Sequence, residues 1–424
     1  MTLFEELSWR GFVSQITHDD LPQTLEREKV TLYCGFDPTA ESLHIGSLLP
    51  IMGLARFQRF GHKPIALVGG GTGLIGDPSG KTQERQLLTK EQVAVNLDGI
   101  RKQLERFLDF EGANAGTMVN NGDWLCELPL VDFLRDIGKH FSVNVMLAKE
   151  SVRQRVEDRD HGMSFTEFSY SLLQAYDFLH LSDASGCTLQ VGGSDQWGNI
   201  VAGMDLIRRL RDRPAFGMTF PLVTKSDGSK FGKSESGNVW LDAARTSPYK
   251  FYQYWINQAD ADVPRWLRYF TFLPQEVIAE FDEQIACEPE KRGAQRGLAE
   301  EMTRLVHGET ALANAIRASQ AMFGGDLAGL DDATLEDVFS EVPSAEIPRA
   351  QLDANHPLVD VLVAHRVFAS KGEARRLIDN GGLYLNNVRV DEADARLTHQ
   401  CLCGTRIAVV RKGKKNYHLL RFVG

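Results

Sequence analysis

The N-terminal half of the chain alternates apolar runs of strand length with helical patterns. Thr31–Phe36, Pro64–Val68 and Leu189–Val191 are such runs, and each is followed by glycines or by an Asp-Pro turn. A helical pattern from about His44 to Phe60 lies between the first two and ends at Gly61. Strands that are separated by helices pair in parallel within one sheet. The sequence therefore predicts an α/β fold in which helices cover a parallel sheet.

The remaining sequence changes character twice. The chain has 424 residues, more than one ordinary domain needs. A helical pattern is followed by a stretch rich in Gly, Asp, Pro and Ser, which is typical of a linker, and then by a short basic segment that mixes helix and strand. We predict an α/β domain over 1–225, a helical domain over 226–323, a linker over 324–354 and a small α+β domain over 355–424.

Charge is unevenly distributed along the chain. The formal net charge is −10, yet the segment His356–Gly424 holds 12 Lys and Arg against 6 Asp and Glu. A basic domain on an acidic body indicates that a polyanion binds at one end. A difference in solubility between domains is the alternative explanation.

Composition limits the classes of protein to which the chain can belong. No run approaches the ~18 consecutive apolar residues of a membrane span. The start, Met1–Glu6, lacks the basic and apolar stretches of a targeting peptide. The six cysteines are scattered, which argues against a zinc site and for reduced thiols. We expect a cytoplasmic protein without membrane attachment or a protein-bound metal.

The glycine run Gly71–Gly76 has the Gly-x-Gly-x-x-Gly spacing of a dinucleotide site. That site needs a helix to begin at once, so that its N-terminus holds the pyrophosphate. Here Asp77-Pro78 follows, and a residue before proline disfavours helical geometry. The same segment is one residue too short for a P-loop. We interpret it as a turn that presents Asp77, with Lys81 and Arg85 beyond it.

Two short motifs suit the triphosphate of ATP. Leu43–Ser47 contains a His-Ile-Gly turn that opens a helix, and Lys230–Ser234 reads Lys-Phe-Gly-Lys-Ser within a segment rich in Gly and Ser. A loop that can close adds cations where charge develops on transferring phosphates. Ordinary surface charge is the alternative explanation for the two lysines.

A polar helix face indicates a pocket for a small ligand. Ser164 and Glu167 have capping-box spacing, so a helix should begin there. On that helix Tyr170, Gln174 and Asp177 share one face, in a stretch without Lys or Glu. A phenol, an amide and a carboxylate suit a small zwitterion with a polar tip. A solvated face is the alternative.

The run Gly192–Asn199 stands where a parallel strand should end. Open α/β sheets bind ligands at that edge, and glycines there allow close backbone approach. Asp195 could accept hydrogen bonds from a ribose. A structural turn is the competing explanation.

Together the runs Tyr33–Gly46, Ser164–Tyr170, Gly192–Asn199 and Lys230–Ser234 resemble the bacterial-type tyrosyl-tRNA synthetase family, a class I aminoacyl-tRNA synthetase. The similarity extends over essentially the whole chain. It implies a Rossmann-like catalytic domain, a helical anticodon-binding domain and a C-terminal RNA-binding domain. The last, through Ser370–Ile378, is similar to the RNA-binding fold of a ribosomal small-subunit protein. The implied reaction makes tyrosyl-adenylate and pyrophosphate from L-tyrosine and ATP, then transfers tyrosine to the 3′-terminal adenosine of tRNA-Tyr.

The resemblance also implies roles for the matching residues. Tyr33 and Asp177 would hold the phenolic hydroxyl of tyrosine. The rest of the tyrosine would contact Asp77, Tyr170, Gln174, Gln190 and Gln196. ATP would contact Cys34, Gly35, Asp37, Thr39, His44, Gly46, Ser47, Gly193 and Asp195. Catalysis would rest on Thr39 and His44, and on the cations Lys81, Arg85, Lys230 and Lys233, which would stabilise the pyrophosphate.

One position departs from the family pattern. Ser47 stands where the family commonly has His or Asn, and the shorter serine could reach the ATP ribose only through a water. The family also implies a homodimer, which we place around the apolar segment Phe133–Val145. No dedicated carboxylate cage is evident, so Mg²⁺ should arrive with the nucleotide.

Three other functions are alternatives for a chain with these motifs. A tryptophanyl-tRNA synthetase has a related fold, but Tyr33 with Asp177 favours tyrosine. An RNA-binding paralogue without catalysis would not need His44 and the four cations. A dehydrogenase is disfavoured by Asp77-Pro78.

Overall fold

The computed structural model describes residues 1–79, 88–149, 152–153, 162–229, 231–234, 237–414 and 416–424. They form two compact units. The first comprises 1–242 and 259–294, and the second comprises 243–258 and 295–424. This division differs from the predicted one, because part of the helical region belongs to each unit.

The helices and strands, in chain order, have the following bounds. The described helices are α1 (Leu3–Trp9), α2 (Leu21–Arg27), α3 (Leu48–Arg59), α4 (Lys90–Leu104), α5 (Gly122–Leu125), α6 (Leu130–Asp136), α7 (Val143–Leu147), α8 (Phe165–Ser185), α9 (Trp197–Arg211), α10 (Pro248–Ile256), α11 (Val263–Phe270), α12 (Gln275–Cys287), α13 (Gly293–His307), α14 (Glu309–Ala321), α15 (Asp332–Val338), α16 (Ala350–Asp353), α17 (Leu358–Ala364) and α18 (Lys371–Asp379). The described strands are β1 (Gln15–Ile16), β2 (Thr31–Phe36), β3 (Lys63–Val68), β4 (Thr117–Asn120), β5 (Cys187–Gly193), β6 (Phe216–Phe220), β7 (Lys233–Ser234), β8 (Gly237–Asn238), β9 (Ser344–Pro348), β10 (Leu383–Leu385), β11 (Val388–Arg389), β12 (Ile407–Lys412) and β13 (Asn416–Val423).

A six-stranded sheet forms the centre of the first unit, in the order β1-β6-β5-β2-β3-β4. Only β1 runs antiparallel to its neighbour. The chain builds outward from β2 through β3 to β4, then returns to β5 on the other side of β2. The strand order thus reverses between β2 and β5, where ligands bind in open α/β sheets. The predicted parallel sheet is confirmed.

The helix α8, which directly precedes β5 in the chain, begins where its sequence predicts. The side chain of Ser164 accepts a hydrogen bond from the backbone N–H of Glu167 at 3.2 Å and caps α8. Gly186 ends the helix in the left-handed conformation, at φ 62°. The polar face of α8 therefore has a fixed position relative to β5, which follows directly.

Two buried arginines connect the N-terminal helices to the end of α11. Arg56 on α3 is 0% exposed, and its Nη2 donates to the carbonyl of Thr271 at 2.6 Å. Arg10 donates through Nη2 to the carbonyl of Leu273 at 2.8 Å. Glu6 contributes the carboxylate, 2.8 Å from Arg10 and 3.7 Å from Arg56. The two guanidiniums thus satisfy carbonyls that the end of α11 leaves without helical partners.

The second unit is built on a five-stranded sheet in the order β11-β10-β12-β13-β9. Side chains alternate between its two faces along each strand. Ile407 and Val409 lie in one buried cluster with residues of α14 and α15. Ala408 and Val410 lie in the other, with residues of α17 and α18. One sheet therefore supports both the end of the helical region and the small C-terminal fold.

The prediction of a linker over 324–354 is wrong. This segment contains α15, β9 and α16, and β9 pairs in parallel with β13. Leu335 and Phe339 are buried in the cluster that includes Ile407. The Gly, Asp, Pro and Ser residues form the turns between short elements, so composition alone could not distinguish them from a linker.

No helix within the described ranges combines the length and the apolar character that crossing a bilayer requires.

We predict that Arg56→Ala lowers the free energy of unfolding by about 3 kcal/mol, because buried carbonyls lose their donor. Urea unfolding measures it. The matched control is Arg59→Ala, an exposed arginine of the same helix whose guanidinium lies 3.9 Å from the Phe272 ring centroid. Its loss should be about 0.5–1 kcal/mol. Equal losses in the two variants would contradict the role assigned to the buried guanidinium.

Candidate active site

A cavity of about 340 Å³ opens where β2 and β5 end. It is polar on one side because both strands are followed by polar residues rather than by apolar turns. The residues singled out by the sequence that line it are Tyr33, Cys34, Gly35, Asp37, Gly46, Ser47, Asp77, Tyr170, Gln174, Asp177, Gln190, Gly193, Asp195 and Gln196. Residues more than 150 positions apart in the chain thus meet in one site.

Asp177 is a buried carboxylate with two fixed donors. It is 1% exposed. Asn121 Nδ2 donates to Oδ2 at 2.9 Å, and Trp124 Nε1 donates to Oδ1 at 2.8 Å. Burial raises the pKa of Asp177 to about 7, and the two hydrogen bonds act in the opposite direction. The carboxylate is therefore oriented in the cavity and able to accept a further hydrogen bond.

Two other buried polar atoms in this cavity have no hydrogen-bond partner among the described residues. They are the hydroxyl of Tyr33 and Oε1 of Gln190. Burial, with Asp177 as the next cause, raises the pKa of Tyr33, so its hydroxyl stays protonated. Leaving a polar group unsatisfied in the interior costs about 1–3 kcal/mol. A ligand with a polar group at this end of the cavity would satisfy both atoms.

Nearer the mouth, carboxylates and amides form a network. Gln196 Nε2 donates to Asp77 Oδ2 at 2.8 Å, and Gln174 Nε2 donates to Gln196 Oε1 at 3.3 Å. Asn199 Nδ2 in turn donates to Gln174 Oε1 at 3.1 Å. The hydroxyl of Tyr170 lies 3.4 Å from Asp37 Oδ2. These oxygens form an acceptor-rich region suited to an ammonium group.

His44 shapes the entrance to α3. Its Nδ1 accepts the backbone N–H of Gly46 at 3.0 Å, at the start of a 3-10 turn over Ile45–Ser47 that leads into α3. That hydrogen bond places the proton of a neutral ring on Nε2. His44 is half-buried and Thr39 is exposed, and neither forms part of the cavity wall, unlike Gly46 and Ser47.

The four predicted cations are not placed by the structure. Lys81, Arg85 and Lys230 lie outside the described residues. The backbone of Lys233 begins β7, but its side chain lies outside the described part.

Cys34 does not supply a nucleophile. It is buried, and burial raises its pKa to about 12, so the thiol is protonated at neutral pH. Its place in the cavity wall is that of a small, weakly polar side chain.

The glycine run after β3 does not open a helix. Thr72–Leu74 form a 3-10 turn, and Gly76 adopts φ 85° directly before Asp77. A dinucleotide pyrophosphate would find no α-helix N-terminus at this run, in agreement with the sequence argument.

Sequence reasoning missed Asn121, Trp124 and Asn199. Asn121 follows the last residue of β4, at the carboxyl edge of the sheet, and that position could have indicated it. Trp124 lies on the short helix α5, and no local pattern connects it with Asp177, which is far away in sequence. Asn199 ends the glycine-rich run Gly192–Asn199, and nothing in that run indicated its hydrogen bond to Gln174.

Comparison with known proteins now gives the lineage. The family described as tRNA synthetases class I (W and Y) matches residues 25–324, and the tyrosine–tRNA ligase SYY-like C-terminal domain matches residues 334–420. The tyrosine–tRNA ligase of Roseiflexus castenholzii is 57% identical over 425 residues, with 100% of both chains covered. The tyrosine–tRNA ligase of Geobacillus stearothermophilus is 55% identical over the same span, again covering both chains.

The chain belongs to the tyrosine–tRNA ligase family.

Solved structures agree with this family membership. The C-terminally truncated mitochondrial tyrosyl-tRNA synthetase of Aspergillus nidulans matches with a TM-score of 0.67 and 32% identity, over 75% of this chain and 94% of its own. The tyrosyl-tRNA synthetase of Archaeoglobus fulgidus complexed with L-tyrosine, at 17% identity, matches in fold with a TM-score of 0.55, over 74% of this chain and 100% of its own. The α/β fold predicted from the sequence is thus the fold of a class I synthetase.

We predict that Asp177→Asn changes how stability depends on pH. The folded pKa of about 7 lies above that of an unfolded aspartate. Between those two values the folded protein binds more protons, so the contribution of Asp177 to stability falls as pH rises from ~4 to ~7. The difference in free energy of unfolding between the variant and the wild type should therefore shift in favour of the variant by up to about 4 kcal/mol over that window. Urea unfolding at a series of pH values measures it.

Asp183→Asn is the matched control on the same helix. Hydrogen bonds from Arg211 lower the pKa of Asp183, so its stabilising contribution is present above the unfolded pKa and is lost in acid. Its stability difference from the wild type should stay constant from pH ~5 to ~7. Parallel curves for the wild type and Asp177→Asn would show that Asp177 is not the titrating group.

Proposed function

We propose that this chain is a tyrosine–tRNA ligase that activates L-tyrosine with ATP and transfers the tyrosyl group to the 3′-terminal adenosine of tRNA-Tyr. The supporting observation is the buried hydroxyl of Tyr33, which has no described partner, in the same cavity as the oriented carboxylate of Asp177. A phenol can accept from the first and donate to the second.

The remainder of the cavity suits the amino acid's other groups. Asp77, Tyr170 and Gln174 contribute oxygens around the proposed ammonium position, and Gln196 orients Asp77. Gln190 lies opposite Tyr33 in the adjacent strand, so its buried Oε1 belongs to the same closed end of the cavity. The α-carboxylate would then face the end of β2, where ATP is proposed to bind.

ATP is assigned to the edge formed by the ends of β2 and β5. Gly35 and Gly193 allow close backbone approach, and Cys34, Asp37 and Asp195 line the same wall. Gly46 and Ser47 lie at the start of α3, whose N-terminal dipole favours phosphate. His44, with Nε2 as its donor, and Thr39 contact the phosphates in this proposal.

The chemistry needs no protein nucleophile. The tyrosine carboxylate attacks the α-phosphorus of ATP, the bond to the bridging oxygen breaks, and pyrophosphate leaves. Rate arises from positioning and from charge placed where negative charge grows. We assign that charge to Lys81, Arg85, Lys230 and Lys233, and we assign to His44 a hydrogen bond from Nε2 to the phosphates. ATP enters as its magnesium complex, with the metal held chiefly by the phosphates.

The second step uses RNA. The terminal adenosine hydroxyl of tRNA-Tyr attacks the carbonyl carbon of the adenylate and releases AMP. The basic C-terminal segment, which falls in the SYY-like domain, supplies the complementary charge for the tRNA. Anticodon binding is assigned to the helical region.

Homodimerisation accounts for an exposed apolar stretch in the first unit. Leu130, Val131 and Val145 are 71%, 74% and 65% exposed, and Leu134 and Val143 lie between them in sequence with about half their surfaces exposed. Apolar patches of this kind usually mark interfaces. We propose that a second copy covers the segment around Phe133–Val145, and that the enzyme works in the cytoplasm.

Tyrosine-dependent exchange of pyrophosphate into ATP tests the function directly. Exchange should require tyrosine and should be absent with tryptophan or without an amino acid. Lys233→Ala and His44→Ala should each lower the exchange rate by about 10²–10³-fold while the dissociation constant of tyrosine stays nearly constant, because their contacts develop in the transition state. Loss of tyrosine binding in Lys233→Ala with unchanged exchange would overturn these roles.

Specificity for tyrosine over phenylalanine should rest on the two groups at the closed end. Phenylalanine would leave the Tyr33 hydroxyl without a partner and could not make the proposed hydrogen bond to Asp177, and a site built to hydrogen-bond a hydroxyl rejects the analogue that lacks it. The double variant Tyr33→Phe with Asp177→Ala should therefore narrow the ratio of exchange kcat/KM for tyrosine over phenylalanine by at least ~10-fold. Gln174→Ala, at the proposed ammonium end, should lower both values together. An unchanged ratio in the double variant would refute the assignment.

A further inference from the structure

Phe231, the residue between the first lysine and the glycine of the Lys-Phe-Gly-Lys-Ser motif, is held in an aromatic cluster. Its ring centroid lies 4.7 Å from that of Trp266 and 5.2 Å from that of Phe270, stacked on the latter with an interplanar angle of 10°. Both partners belong to α11 and are fully buried, and Phe231 itself is buried. A charged, glycine-rich surface loop does not need a buried aromatic ring to remain soluble, so the packing of Phe231 on α11 calls for another explanation.

The next residue contacts the other ATP motif. Gly232 has φ 91°, which favours glycine. A Cβ built on it would lie 3.3 Å from Cγ1 of Ile45 and 3.4 Å from the backbone nitrogen of Gly46. The backbone of the second motif thus lies against the start of α3, where His44 and Gly46 are.

Backbone hydrogen bonds fix this contact. The N–H of Val239 donates to the carbonyl of Gly232 at 3.0 Å, and the N–H of Ile45 donates to the carbonyl of Val239 at 3.0 Å. The N–H of Leu241 donates to the carbonyl of Leu43 at 2.9 Å. The segments on either side of β7 and β8 are therefore tied to Leu43–Ile45.

The helix that carries the aromatic cluster is itself fixed to α3. Arg56 of α3 and Arg10 hold the carbonyls of Thr271 and Leu273, directly after α11. The ring of Phe231 therefore packs on the C-terminal half of α11, and the residue directly after that helix is bound by Arg56 of α3, the helix that follows the His44 motif. The two motifs are thus both connected to α3.

We propose that Phe231 is a positioning residue for adenylate formation: its ring, seated on Trp266 and Phe270, sets where the backbone of the second motif meets Ile45 and Gly46. The inference rests on the proposed function. Lys230 directly precedes Phe231 in the chain, and Lys233 follows Gly232. The position of the Phe231 ring therefore limits the positions that both lysines can take. A misplacement of about 1 Å can cost about 10²-fold in rate.

The test is a series of substitutions measured by tyrosine-dependent pyrophosphate exchange and by equilibrium tyrosine binding. Phe231→Ala should lower the maximal exchange rate by ~10–100-fold and leave the tyrosine dissociation constant within ~2-fold of the wild type. Phe231→Leu, which keeps apolar bulk on α11, should recover most of the rate. Phe57→Ala and Phe57→Leu are matched controls, because Phe57 is a fully buried ring of the same unit whose ring pairs with that of His62, outside both motifs.

A double-mutant cycle separates positioning from general loss of stability. If Phe231 acts by placing the lysines, Phe231→Ala in a background that carries both Lys230→Ala and Lys233→Ala should lower the remaining rate by less than ~3-fold. Multiplicative losses in the combined variant, losses equal to those of the Phe57 variants, or wild-type exchange in both Phe231 variants would each overturn the inference. Absence of tyrosine-dependent exchange in the wild type would instead refute the proposed function.

Discussion

The strand Thr31–Phe36 pairs in parallel on both of its sides, and the site depends on that arrangement. Its register sets Tyr33 opposite both Ile65 and Gln190, in β3 and β5. Because parallel strands end at the same edge, Asp37, the glycine run after β3 and Asp195 all emerge at one opening. The helix α8 then needs only to pack beside β5 for its polar face to complete the wall. The binding site is thus a consequence of strand order rather than of any single loop.

The fold tolerates an energetic cost at the closed end of this opening. A carboxylate and a phenol are buried together there. Asn121 and Trp124 orient Asp177 by donating hydrogen bonds to its carboxylate. Trp124 is in turn stacked on His180 at 4.2 Å between ring centroids. An apolar end would fold with less penalty, but it would bind a phenyl ring and a phenol about equally. The buried polar groups at this end therefore cost folding free energy.

Much of the architecture and most of the cavity wall followed from the sequence, because both rest on local signals. An apolar run of strand length predicted the bounds of β2, and a side chain able to cap a helix predicted the start of α8 at Ser164. The long motifs identified the family. The linker over 324–354 was misjudged, since its burial depends on β13, some seventy residues later in the chain. Trp124 was missed for the same reason: its partner Asp177 is remote in sequence. Local sequence patterns do not show which residues far apart in the chain pack together.

The interleaving of the two units has a consequence for synthesis on the ribosome. The first unit is complete in sequence at residue 294, whereas the second begins at residue 243 and uses the chain up to its last strand. Tyr249 on α10 packs against a cluster that includes Tyr417 and Leu419. At the usual ~5–20 residues per second of translation, Tyr249 is made roughly ten seconds or more before Tyr417 and Leu419. The rest of α10 has earlier partners, since Phe251 packs on His307 and Gln253 donates to Ser319. The core of the second unit is therefore completed only when the last strand has been synthesised.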